Sequence, residues 1–198
     1  MCAFGVGLPL VELSDGIAVA IDATAWALIQ ASAGYLAHRL PRQRLDHDTW
    51  LTRQRGFERG GLIYERFAIR RWKDALPEAG AMFAGGVSKR HLSRSVDGLA
   101  AFAVETRRAE LAHWFPLAMS PVFALWNRPL VAALMVVYGV GINVPFIAVQ
   151  RYNRARVARS LARRTSASSS DVRLESAAAR LRSDRPTKGN NMPNGSPP

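Results

Sequence analysis

Residues 105–114, E-T-R-R-A-E-L-A-H-W, bring two carboxylates, two guanidinium groups and an imidazole to the edge of a membrane-length apolar run. Ionisable side chains in that setting are costly and mark functional sites by default. On a helix Thr106, Glu110 and His113 share one face at i, i+4 and i+7, with Arg107 one turn before Glu110. Such a face can hold a polar substrate at a bilayer surface. The competing reading is a helix end anchored in headgroups by arginines and an interfacial Trp.

The rest of the composition narrows the chemistry. The chain has 198 residues and a formal net charge of +12, and its apolar residues are gathered into blocks rather than spread periodically, as in a small membrane protein. Arginines flank those blocks without an aromatic-basic repeat or zinc-finger spacing. The expected anionic neighbour is therefore membrane phospholipid, not nucleic acid. Cys2 is the single cysteine and excludes an intrachain disulfide. His38, His47, His91 and His113 have neither the mutual spacing nor the cysteine company of a zinc site, so no metal is expected.

The elements that must position the polar face follow from hydropathy. Residues 16–37 are apolar and nearly long enough to cross a hydrocarbon core of about 30 Å. Ala31-Ser32-Ala33 resembles a signal-peptidase site, but no Lys or Arg precedes the run, which favours an uncleaved anchor. Asp22 within it needs a partner helix or water. Residues 38–96 read as a basic loop domain outside the bilayer. Within it, residues 61–74 have the pattern of an interfacial amphipathic helix. The glycine-rich stretch 83–92 ends in Lys89, Arg90 and His91, which could take the phosphates of a donor.

A long helix is expected from near Asp97 to Trp126, kinked or interrupted at Pro116 and Pro121. The turn Asn127-Arg128-Pro129 then leads into residues 130–149, a strong span broken only by Asn143 and Pro145. These two arms form a helical hairpin whose first arm, short of the usual length of about 20 residues, is tilted or re-entrant. Arginines after residue 149 and after residue 37 place the loop domain and C-terminus in the cytoplasm and the N-terminus outside. The polar tail from 165 is expected to be disordered, with a transient helix over 171–182. The fold class is thus an all-α integral membrane protein: an N-terminal tail and transmembrane anchor (1–37), a cytoplasmic loop domain (38–96), a kinked helix with a transmembrane hairpin (97–164), and a disordered tail (165–198).

Four ordered blocks, R-R-W-K-D at 70–74 with Leu76-Pro77, S-K-R-H-L at 88–92, E-T-R-R-A-E-L-A-H-W at 105–114, and N-V-P-F-I-A-V-Q-R-Y-N-R at 143–154, resemble the glycosyl-4,4'-diaponeurosporenoate acyltransferases of staphyloxanthin-type carotenoid biosynthesis. The resemblance covers most of residues 70–164. It implies transfer of a fatty acyl group from acyl-CoA or another acyl thioester, as co-substrate and with no cofactor, to a sugar hydroxyl. The acceptor would be a glycosylated carotenoid or related glycolipid in the bacterial cell membrane, in the company of carotenoid-pathway enzymes.

That reaction needs a base for the hydroxyl proton and donors for the tetrahedral oxyanion. His113 is the candidate base. Glu110 could orient its imidazole or the sugar, with Glu105 as a second carboxylate. Arg107, Arg108, Lys89 and Arg90 are candidates for binding the donor, and Asn143 and Gln150 for the oxyanion. No G-x-S-x-G elbow or His-x4-Asp signature is present, which disfavours a covalent acyl-enzyme. The alternative of a different class is a non-catalytic membrane subunit that scaffolds a lipid-modifying enzyme.

Overall fold

Ser14 leads in extended conformation into α1 (Asp15–Arg39), whose first turn carries Asp15 and whose last carries His38 and Arg39, the signs that the helix dipole favours at each end. The computed structural model describes residues 10–11, 13–76 and 95–183, and all regular structure among them is helical. After α1 come α2 (Arg42–Leu45), a 3-10 turn over Gly56–Gly61, α3 (Leu62–Arg66), α4 (Ile69–Trp72), α5 (Val96–Met119), a second 3-10 turn over Ser120–Leu125, and α6 (Pro129–Ser183). The described residues up to Arg159 form one compact unit and those from Ser160 onward a second.

Two segments are long and apolar enough to cross a membrane, Asp15–Arg39 and Pro129–Ala167. Both leave large apolar side chains exposed, among them Ile17, Val19 and Leu28 on α1 and Leu134, Val137 and Val144 on α6. A helix that is apolar on most sides and still exposed suits lipid as its solvent.

α1 lies along α5. Its buried residues are Asp22, Trp26, Ala33 and Ala37. The Trp26 ring stacks on Phe123 at 4.9 Å and meets the edge of Tyr138 at 5.1 Å. Asp22 has the partners it needs, because its Oδ1 accepts from Trp126 Nε1 and from Asn127 Nδ2, each at 2.8 Å.

One local expectation is corrected. Residues 61–74 do not form one amphipathic helix. The amides of Phe67 and Ala68 bond back to Tyr64 and Glu65, Ala68 turns left-handed at φ 51, and the chain restarts as α4. That break buries Ile69 against Val149 and Tyr152 of α6, with Tyr64, Trp72 and Leu76 around them, and leaves Leu62 and Phe67 exposed. Packing on α6 has overridden a single continuous apolar stripe. The helix that carries the polar face runs through Pro116 and is interrupted at Pro121, one of the two expected positions: it ends at Met119, and Ser120 and Pro121 begin a 3-10 turn.

The helical backbone of α6 also continues to Ser183, beyond residue 165, where composition predicts a disordered tail. Along that stretch Ser166, Ser169 and Ser170 return their hydroxyls to carbonyls one turn back.

Gly61 joins the 3-10 turn to α3 at φ 91, and a Cβ there would lie 2.6 Å from Ala155 Cβ of α6. Gly61→Ala is expected to lose about 1–2 kcal/mol for the left-handed backbone and more for the overlap. Gly60→Ala, at φ 61 but with nothing within 4 Å, should lose the backbone part alone. Thermal unfolding midpoints in detergent should rank wild type, Gly60→Ala, Gly61→Ala in falling order.

Candidate functional site

α5 and α6 bring His113 and Asn143 together, with His113 Nδ1 3.1 Å from Asn143 Oδ1. The amide orientation is fixed from its other end, since Asn143 Nδ2 donates to the carbonyl of Gly139 at 2.9 Å. Oδ1 must then be the acceptor and Nδ1–H the donor, which leaves the lone pair of the neutral ring on Nε2. Phe146, one turn beyond Asn143, stacks on the imidazole at 4.5 Å and 14° and fixes the ring plane. Asn143 is fully buried and His113 half-buried. The pair therefore has what a general base requires: a set tautomer, a set plane and a free basic nitrogen.

Beside this pair, where Glu110 of α5 meets Arg151 and Arg154 of α6, lies a buried ionic network. Glu110 is fully buried, and its Oε1 accepts from Arg151 Nε at 2.7 Å and from Trp114 Nε1 at 3.1 Å. Arg154 Nη2, which donates a hydrogen to the carbonyl of Thr52, sits 2.7 Å from Glu110 Oε2 as an ion-pair contact. Arg151 also donates through Nη1 to Glu58 Oε1 at 2.6 Å and through Nη2 to the carbonyl of Leu51 at 2.5 Å. Glu58, likewise fully buried, accepts from the Arg55 amide and from Tyr64 OH, each at 2.8 Å. Burial first, then the Glu58 carboxylate, push the Tyr64 phenol up from its ordinary value, so it stays a proton donor.

The remaining candidates separate into placed and spent. Glu105 does not approach the imidazole; it pairs with Arg108 at 3.2 Å on its own helix. Arg108 Nη1 caps the C-terminal end of α1, donating to the carbonyls of Ala37, His38 and Leu40 at 2.6, 3.0 and 2.8 Å. Arg107 donates to Asp48 at 2.6 Å and to the Leu45 carbonyl at 3.1 Å instead of pairing with Glu110. Both arginines are thus engaged by protein partners, Arg107 by the end of α2 and the loop after it and Arg108 by the end of α1. Asn143 has its Oδ1 and one Nδ2 hydrogen committed, which leaves the second Nδ2 hydrogen as its remaining donor. Gln150 is half-buried just before Arg151. Lys89 and Arg90 lie outside the described residues.

Glu58, Arg151 and Arg154 are the charged members of the site that the sequence reading did not pick out. Arg151 and Arg154 lie among the arginines that mark the cytoplasmic end of a span, and Glu58 stands in a glycine-bounded loop with no apolar pattern. The one available signal was the spacing of Asn143, Gln150 and Arg154, which fall on one side of a helix at i, i+7 and i+11. Among the described residues no group of three or more His, Cys, Asp or Glu side chains is placed to hold a metal ion.

A family model described as glycosyl-4,4'-diaponeurosporenoate acyltransferase matches residues 47–163, a stretch that holds His113, Asn143 and the whole ionic network. Curated proteins of that name from Staphylococcus aureus strains N315 and USA300 are each 30% identical to this chain, over 138 and 139 residues, which is 69% of this chain and 83% of theirs. No solved structure matches it.

Proposed function

Because the chain belongs to the glycosyl-4,4'-diaponeurosporenoate acyltransferase family, and so is an acyltransferase, we propose that it esterifies a sugar hydroxyl of a glycosylated carotenoid with a fatty acyl group from an acyl thioester. The observation that carries the mechanism is the His113–Asn143 hydrogen bond across α5 and α6. His113 Nε2 removes the proton as the sugar oxygen attacks the thioester carbonyl. The C–O bond forms, the tetrahedral intermediate collapses with loss of the C–S bond, and the imidazolium returns the proton to the departing thiolate. No acyl group is held on the protein.

Gln150 lies seven residues from Asn143, about 10 Å along the helix axis and on nearly the same side of α6. That separation suits a contact to the sugar better than to the oxyanion. Lys89 and Arg90 are the donor-phosphate residues of this proposal. The reaction takes place at the cytoplasmic boundary of the bacterial cell membrane, with the N-terminus outside and the C-terminus inside, as the arginines after each apolar run favour. Membrane lipid and the pathway enzymes that supply the glycoside are its neighbours. Family membership sets aside the reading as a non-catalytic scaffold.

The test is reconstitution of the purified chain in liposomes with a long-chain acyl-CoA and a glucosylated carotenoid. The expected product is heavier by one acyl group, with one free thiol released for each ester. Esters formed only on a different glycolipid would replace the acceptor, and the absence of any ester without a second polypeptide would refute the proposal.

A further inference from the structure

We infer that Arg151 is a positioning residue for acyl transfer, holding His113 and Asn143 in register by gripping three segments at once; the inference rests on the His113–Asn143 reading above. Its Nε binds Glu110, one turn before His113 on α5. Its Nη1 binds Glu58 in the 3-10 turn, and its Nη2 binds the Leu51 carbonyl in the loop before it. Gln54 Nε2 donates to the Arg151 carbonyl at 3.2 Å, so the loop holds the residue from both ends.

Two helices that face lipid gain little from burying apolar surface against each other, so polar contacts and close packing set their register. The single neutral hydrogen bond between His113 and Asn143 has a net worth of only about 1 kcal/mol and cannot do this alone. Arg151 sits eight residues along α6 from Asn143, about 12 Å by helix rise, and meets α5 through one short charge-assisted bond, to Glu110 at 2.7 Å. Sliding α6 against α5 would break the Glu110 bond and the Asn143 bond together. A planar guanidinium with several fixed donors suits this task, and a lysine, with one point charge on a flexible stem, does not.

The experiment is a double-mutant cycle on the full-length protein in liposomes, comparing Arg151→Lys, Asn143→Ala and the double variant by kcat, KM and thermal midpoint. Arg151→Lys is expected to lower kcat by about 10²-fold, the scale of a 1 Å misplacement, with KM unchanged. Once Asn143 is gone there is no alignment left to lose, so the double variant should fall no further than the worse single variant. Effects that multiply, as independent defects do, would overturn the inference. Full activity in Asn143→Ala would instead remove the proposed base arrangement, a distinguishable result. Glu58→Gln, which keeps the volume and releases one arm of the grip, is read in the same cycle if Arg151→Lys does not accumulate. Failure of both to accumulate as folded protein would assign the residue to folding alone and overturn the inference.

Discussion

Replacing His113 by Ala is expected to lower kcat for acyl transfer by about 10²–10⁴-fold, the usual contribution of a positioned general base. The ring is half-buried and stacks on one face of Phe146, so the packing lost is modest, about 0.5–1.5 kcal/mol for such a pair. The larger structural risk is Asn143, whose buried Oδ1 would lose its donor. His113→Gln separates these effects, because a glutamine amide can still donate to Oδ1 but cannot accept a proton at neutral pH. The expected pattern is a thermal midpoint close to wild type for His113→Gln, a slightly lower one for His113→Ala, and the same loss of turnover in both. Wild-type rates in His113→Gln would show that the imidazole acts only as a spacer between the helices, and the base would have to be sought elsewhere.

The apolar blocks made the two long helices legible, because an unbroken apolar run of that length exceeds an ordinary strand and fits a helix. His113 and Asn143 were legible as candidates because polar groups inside such runs are costly. Their direct contact was not, since no periodicity states which face of one helix meets which face of another. The break at Ala68 was hidden for a related reason. Leu62, Ile63 and Phe67 do fit one helical face, and only the burial of Ile69 against Tyr152, a long-range contact, makes a left-handed residue worth its strain. The arginines were the hardest to read. Arg107, Arg108, Arg151 and Arg154 have the same chemistry and the same setting in sequence. In the fold one braces a loop, one caps α1, and two neutralise buried carboxylates. Charge near a membrane end says where arginines belong, but what each one binds is decided by loop carbonyls and acids far away in the chain.

Glu110 and Glu105 turn that difference into an expected result. Removing Glu110 as Ala would leave Arg151 and Arg154, both nearly excluded from solvent, without their shared carboxylate. Breaking a buried pair from one side typically costs about 3–5 kcal/mol, because the charge that remains is uncompensated. Arg151 keeps Glu58, which argues for the lower end, whereas Arg154 keeps the neutral Thr52 carbonyl and, for a carboxylate, a 3.8 Å approach to Asp48. Glu110→Ala should therefore accumulate poorly in the membrane and unfold at a clearly lower temperature, losing activity with its fold. Glu105→Ala removes a carboxylate five positions earlier on the same helix, paired with Arg108 and partly open to solvent. It should cost at most about 1 kcal/mol and leave turnover nearly intact, as exposed pairs do. Expression level, thermal midpoint and activity per folded molecule distinguish the two outcomes. If folded Glu110→Ala were recovered at wild-type stability with its activity gone, the carboxylate would be acting on substrate and the network would not be the scaffold described above. If Glu105→Ala proved the more damaging change, the pairing with Arg108 would not be the whole of its role.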